Sequence, residues 1–245
     1  MKQENYIRGM IMIILSAFFF ACMNVSVRLA GDLPSVQKSF FRNLVAAFFA
    51  AIILIKNHTA PKVEKTQWGS LFLRCAFGTL GILCNFYAID HLLVADASIL
   101  NKLSPFFAII FSFLLLKEKI KPAQAMCVIL AFVGCLFVVK PGFENAHLIP
   151  ALIGVCGGLG AGIAYTMVRK MGTHGVKGPV IVFYFSCFSC IIVIPWIVFH
   201  YQPMSLRQLL TLFLAGLFAA GGQFTITAAY TCLLYTSPSP RDKRQ

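Results

Sequence analysis

The chain has 245 residues and a formal net charge of +13, and it is 59% hydrophobic but only 12% charged. Too few polar residues remain to coat a water-exposed globule, which carries about 45–50% apolar residues, and disorder is excluded by the same excess. The basic residues sit between apolar blocks rather than on one face, which excludes a nucleic-acid-binding surface and leaves a polytopic membrane protein.

A helix rises about 1.5 Å per residue, so about 20 apolar residues cross the roughly 30 Å hydrocarbon core. Eight segments qualify, at 9–29, 40–55, 69–89, 95–116, 122–139, 148–168, 179–199 and 209–230, joined by short loops. The second is the shortest and is expected to begin nearer Ser35. No secretory cleavage site follows the first. Eight of the nine cysteines lie inside these segments, where a thiol behaves as a small apolar group. Cys187 and Cys190 have redox-motif spacing but read as packing. With the N-terminus inside, eleven loop Lys and Arg residues are cytoplasmic and five are outside. That bias predicts a cytoplasmic N-terminus in a multi-pass plasma-membrane protein.

Ala17, Ala21, Asn24 and Arg28 of the first segment share one helical spacing with Gly158, Gly162, Tyr165 and Arg169 of the sixth, displaced by 141 residues. Gly81 and Ala88 are echoed more weakly by Gly221 and Ala228. A unit of five spans is odd, so its second copy enters from the opposite side, as in secondary transporters. Small residues recurring at helix contacts produce the same spacing without any repeat.

Polar groups in hydrocarbon are costly unless they face the bundle interior or a wet cavity. The third segment places Arg74, Gly78, Gly81 and Asn85 on one face; the fourth places Ser98, Asn101, Lys102 and Pro105 together. Pro105 removes a backbone donor one turn after Asn101 and is expected to kink a continuous helix. Each asparagine reads equally as glue between helices or as a cavity group. Arg74 is expected to snorkel toward the cytoplasm and Arg42 to cap the outer end of its helix. Lys102 is the foremost candidate for a functional charge. No carboxylate lies mid-span, which argues against a carboxylate-centred proton mechanism. The histidines lack metal-ligand spacing, no phosphate-binding loop is present, and no cofactor or metal is expected.

The run Phe86-Tyr87-Ala88-Ile89, Ala95-Asp96-Ala97-Ser98, Ser104-Pro105-Phe106-Phe107-Ala108, Leu116-Lys117-Glu118-Lys119, Gly134 and Lys140-Pro141-Gly142 resembles the EamA-type repeat of the drug/metabolite transporter superfamily. Phe41-Arg42 also resembles that family's aromatic-Arg signature. The resemblance implies ten helices in two inverted five-helix repeats, with both termini cytoplasmic and a central cavity open to one side at a time. It further implies that helices four and nine line the cavity and that Glu118 is structural. On this reading 1–142 is a first repeat and 143–231 an incomplete second one, so eight of ten expected helices are present. Residues 232–245, which resemble a translated sequencing adapter, read as a non-native tail.

The expected activity is secondary-active transport of a small metabolite or drug-like solute by alternating access. Candidate substrate-binding residues are Asn24, Asn85, Ser98, Asn101, Lys102, Tyr165 and Tyr184. The expected partners are that solute and the lipid bilayer, with a homodimer as a further expectation and no nucleic acid. A non-transporting membrane scaffold and an intramembrane enzyme are the rival readings. The enzyme would need a catalytic dyad at matched depth, and the scaffold has no use for polar groups in mid-membrane.

Overall fold

The computed structural model describes residues 2–117, 122–139 and 148–232. The helices are α1 (Lys2–Leu29), α2 (Ser35–Lys56), α3 (Trp68–His91), α4 (Val94–Asn101), α5 (Ser104–Leu116), α6 (Pro122–Val139), α7 (Leu148–Thr173), α8 (Gly178–His200) and α9 (Leu206–Cys232), with a single 3-10 turn at Lys65–Gln67. Among the described residues, seven stretches are long and apolar enough to cross a membrane, α4 and α5 together forming one of them at Val94–Leu116. Within α6, Ala125–Gly134 is a shorter apolar run. The protein is therefore an all-α polytopic membrane protein, and Ile14, Phe18, Ile55, Phe72, Phe137 and Phe199 point outward as a lipid-facing belt. The turn containing Glu118 and the segment 233–245 lie outside the described residues.

The second span starts at Ser35, five residues before its apolar run, because its polar first turns face inward. Gln37, Lys38, Ser39, Arg42 and Asn43 are all buried. Most of their partners lie outside α2. Gln37 Nε2 donates to Gln202 O at 2.8 Å, and Gln202 N donates back to Gln37 Oε1 at 3.0 Å. Asn43 Nδ2 donates to Ser189 Oγ at 2.8 Å. Lys38 Nζ lies 2.5 Å from Asp90 Oδ1, and Ser35 Oγ donates to Asp90 Oδ2 at 2.7 Å. Arg28 donates to Ile89 O and Asp90 O at 2.9 and 2.8 Å, covering carbonyls that the end of α3 leaves open. Asp90 thus sits in the last turn of α3, tied to α2, rather than in a loop.

The fourth span is broken where a kink was expected. α4 ends at Asn101, residues 102 and 103 turn, and α5 resumes at Ser104 with Pro105 in its first turn. Pro105 has no N–H to offer Asn101 O, its partner in a continuous helix. The chain responds by tightening: Lys102 N is shared between Ser98 O and Ile99 O, four and three residues back, and Leu103 N donates to Leu100 O, three residues back. The break therefore precedes the proline and leaves Lys102 at the junction.

α1 packs along α9, α2 along α8 and α3 along α7. α7 also meets α4 and α5, and it does so through missing side chains. A Cβ on Gly160 would stand 2.8 Å from Phe77 O of α3, and one on Gly157 would stand 3.2 Å from Gly81 O. On a second stripe, a Cβ on Gly158 would meet Leu100 O at 2.8 Å, and one on Gly162 would meet Phe107 Cβ at 2.5 Å. These distances are below ordinary contact, and the obstructing carbonyls cannot move independently of their helices. Cys187 and Cys190 are free thiols, and Cys190 Sγ lies 3.8 Å from Phe40 O as a weak donor.

Gly160→Ala is expected to lower stability by about 1–3 kcal/mol, the usual cost of overpacking. Gly69→Ala, whose Cβ meets nothing within 4 Å, serves as the control and should be neutral or slightly stabilising. Thermal unfolding of the two variants in detergent checks this; equal midpoints would contradict the packing argument.

Candidate functional site

A cavity of about 340 Å3 lies between α1, α2, α3, the α4–α5 junction, α7, α8 and α9. That is within the usual range for small-molecule sites. Apolar walls come from Phe20, Ile82, Phe86, Phe185 and Ile226. The polar groups are few and convergent, as binding sites require.

Six of the seven residues expected from sequence line this cavity: Asn24, Asn85, Ser98, Asn101, Lys102 and Tyr165. Asn24 Nδ2 donates to Ser98 Oγ at 3.0 Å, joining α1 to α4. Asn24 therefore acts as glue through one amide atom while its other, Oδ1, is buried with no hydrogen-bond partner. Asn85 Oδ1 is likewise buried and unpartnered. Tyr165 of α7 stacks on Tyr230 of α9, with ring centroids 5.2 Å apart and planes inclined by 20°.

Tyr184 is not in the cavity. Its neighbour Phe185 lines it, and one residue along a helix is a rotation of about 100°. That rotation turns Tyr184 outward, where its hydroxyl donates to Pro61 O at 2.8 Å and its ring meets Trp68 edge-on at 6.1 Å.

Arg42 and Arg74 also depart from expectation. Neither caps a helix end nor snorkels; they are 1% and 2% exposed, and both line the cavity. Arg74 folds forward over Gly78, one turn further along α3, where an added Cβ would collide with its guanidinium. The side chain thus runs deeper into the bundle rather than back to the near end of its helix. Its Nη2 donates to Gln223 Oε1 at 2.9 Å, and Cζ sits 4.0 Å above the Phe185 ring. A cation over a desolvated ring gains about 2 kcal/mol. Arg42 donates to Asn43 Oδ1. Nε of each arginine is buried and has no hydrogen-bond partner among the described residues. Arg42, Arg74 and Tyr165 all line the same cavity.

The sequence reading missed Gln223 and Tyr230. An amide in the middle of an otherwise apolar span was the available signal for Gln223, and Tyr230 carried none beyond its aromatic ring. No Asp or Glu lines the cavity, so among its described walls Arg42, Arg74 and Lys102 are the formal charges.

Residues 7–140 match the model of the EamA-like transporter family. The chain belongs to that family. It is 32% identical over 228 residues to the pseudopaline exporter CntI of Pseudomonas aeruginosa, covering 91% of this chain and 78% of the exporter. Human solute carrier family 35 member G1 is 27% identical over 236 residues, covering 90% of this chain and 64% of that protein. A crystal structure 13% identical in sequence superposes with a TM-score of 0.66 over 97% of this chain and 91% of its own, which shows a shared fold. The protein is accordingly a membrane transporter acting on a small molecule, not an enzyme.

Tyr184→Phe should cost about 1 kcal/mol of stability through the lost bond to Pro61 O. Solute flux in proteoliposomes should stay at the parent level, since the side chain is outside the cavity; a large loss of flux at normal expression would return Tyr184 to the site.

Proposed function

We propose that this EamA-family transporter is secondary-active and carries its solute through the central cavity by alternating access. The observation that carries this reading is the cavity itself: enclosed by most of the spans, walled by apolar side chains, and holding buried polar atoms with no hydrogen-bond partner among the described residues. Asn24, Asn85, Ser98, Asn101, Lys102 and Tyr165 are its proposed contacts, with Arg42, Arg74, Gln223 and Tyr230 added by the geometry. Tyr184 is left out.

Alternating access requires two halves that can exchange roles. The helix pairings support an inverted repeat in which α1, α2 and α3 correspond to α7, α8 and α9. Under that correspondence the α1–α9 contact is the mate of the α7–α3 contact, and α2–α8 is its own mate; those are the long pairings observed. A residue-level match agrees. Ser16 Oγ donates to Gly222 O at 3.2 Å, and Gly157 lies against Gly81; a shift of 141 carries Ser16 to Gly157, and Gly81 answers to Gly221, the neighbour of Gly222. The broken fourth span offers the second ingredient, backbone freed from a helix at a cavity wall. Relatives named for export of a small molecule support a metabolite-sized cargo.

The proposed location is the plasma membrane with the N-terminus cytoplasmic. The basic bias supports it, with Lys62 and Lys119 on the inner side. In a cysteine-free background, single cysteines at 62 and 119 should resist an impermeant reagent added to intact cells and react after permeabilisation. Labelling of both in intact cells would invert the topology.

Lys102→Met should abolish transport of a labelled solute from a metabolite panel while expression in the membrane is unchanged. Lys102→Arg should retain part of it, because a planar fork replaces a compact point charge. Full activity in Lys102→Met would reduce Lys102 to a structural residue.

A further inference from the structure

The protein treats its buried positive charges in two ways. Where Lys38 is buried near the start of α2, a carboxylate meets it at 2.5 Å. In the cavity, Arg42 and Arg74 are buried as deeply, Lys102 stands at the helix break, and among the described residues no carboxylate lines the walls. The neutral groups around the arginines do not exhaust them. Gln223 and Asn43 each accept from one of the two guanidiniums, and both Nε–H groups remain without an acceptor among the described residues. An arginine fork matches a carboxylate or phosphate two atoms at a time, so a missing acid is the natural complement of this arrangement.

We propose that the solute is a small organic polyanion: a di- or tricarboxylate or a phosphate monoester, with acidic oxygens on Arg42 and Arg74 and further negative charge facing Lys102. The inference rests on reading the cavity as the transport site. A neutral solute would leave the two buried guanidiniums and the exposed Lys102 ammonium without a counter-charge, and a monoanion would leave two of the three. A cationic solute would be repelled outright. Asn24 Oδ1 and Asn85 Oδ1 add two acceptors without donors, which an O–H or N–H group on the same solute would satisfy. Water can occupy such acceptors in the empty state, but water does not neutralise charge.

The test uses the full chain purified in detergent at fixed ionic strength. Succinate, citrate and glycerol 3-phosphate are compared with acetate, glycerol and the diamine putrescine as thermal-shift ligands and by calorimetry. At least one of the three polyanions should raise the unfolding midpoint and bind, with the last three inert at the same concentration. A response to succinate or citrate alone assigns carboxylates; a response to glycerol 3-phosphate alone assigns a phosphate ester. Arg74→Gln should weaken that binding at least tenfold, and Arg74→Lys, which keeps the charge and loses the fork, should fall between. If Arg74→Gln does not fold, Arg74→Lys carries the comparison. Absence of binding by all three polyanions, equal binding of glycerol or putrescine, or parent-level affinity in Arg74→Lys together with any folded Arg74→Gln would overturn the proposal. Flux measurements separate it from the transport reading. Polyanion binding with no flux in proteoliposomes would sink transport and leave the ligand class; flux of glycerol or putrescine without polyanion binding would do the reverse.

Discussion

The close approach of α7 to its neighbours is the constraint on which the bundle depends. In lipid there is no hydrophobic force to drive one helix onto another, so association rests on dispersion contacts and on how near the backbones can come. α7 offers two glycine stripes, one to α3 and one to the broken fourth span. Gly157 and Gly160 let α3 in, and Gly158 and Gly162 let the junction around Leu100 and Ser104 in. Both neighbours carry cavity-lining groups. A bulkier α7 would push Asn85 and Arg74 away from Asn101 and Lys102 and open the cavity along a seam.

Around that framework the polar residues divide by duty. Those at the ends of α1, α2 and α3 are satisfied within the protein: Arg28 on carbonyls, Lys38 on Asp90, Gln37 on the backbone of residue 202. Those at the centre are satisfied in part. A charge at mid-membrane costs about 2.5–3.5 kcal/mol on insertion scales. The hydrogen bond from Arg74 to Gln223, worth about 1.5–3 kcal/mol for a charged donor, and the face of Phe185 together offset a cost of that size. The molecule can therefore hold the charge without neutralising it, which leaves it available.

Much of this was legible in the sequence. Apolar runs of about 20 residues placed the spans, because in a bilayer length and hydropathy are nearly sufficient. Six of the seven candidate site residues reached the cavity because a polar group inside a span has only the bundle interior to face. The failures have physical causes. Tyr184 and Phe185 differ by one position; the signal that separates them was Ser186 and Ser189, both buried, since Ser189 lies one turn along from Phe185 and marks the inner face of α8, from which Tyr184 is turned away. Arg42 and Arg74 were read by distance from the helix end, which treats a long side chain as free to choose its direction; Gly78 had already opened a path inward. The disturbance expected one turn before Pro105 lies at Asn101, but as a break between two helices rather than a kink in a continuous one.

The Lys38–Asp90 pair has a bearing on how the chain enters the membrane in the first place. The two residues stand near the start of α2 and the end of α3, so both must cross the bilayer, or both must stay behind, when this pair of spans is inserted. A lone α2 would carry an unpaired ammonium into the lipid, and a lone α3 an unpaired carboxylate. As a hairpin formed before or during translocation, they present a neutral pair at its open end, opposite the 57–67 connection, with Ser35 on the same carboxylate. The second and third spans are thus suited to partition together as one unit, and the order in which the ribosome releases them matters less than their meeting before either is committed to the bilayer.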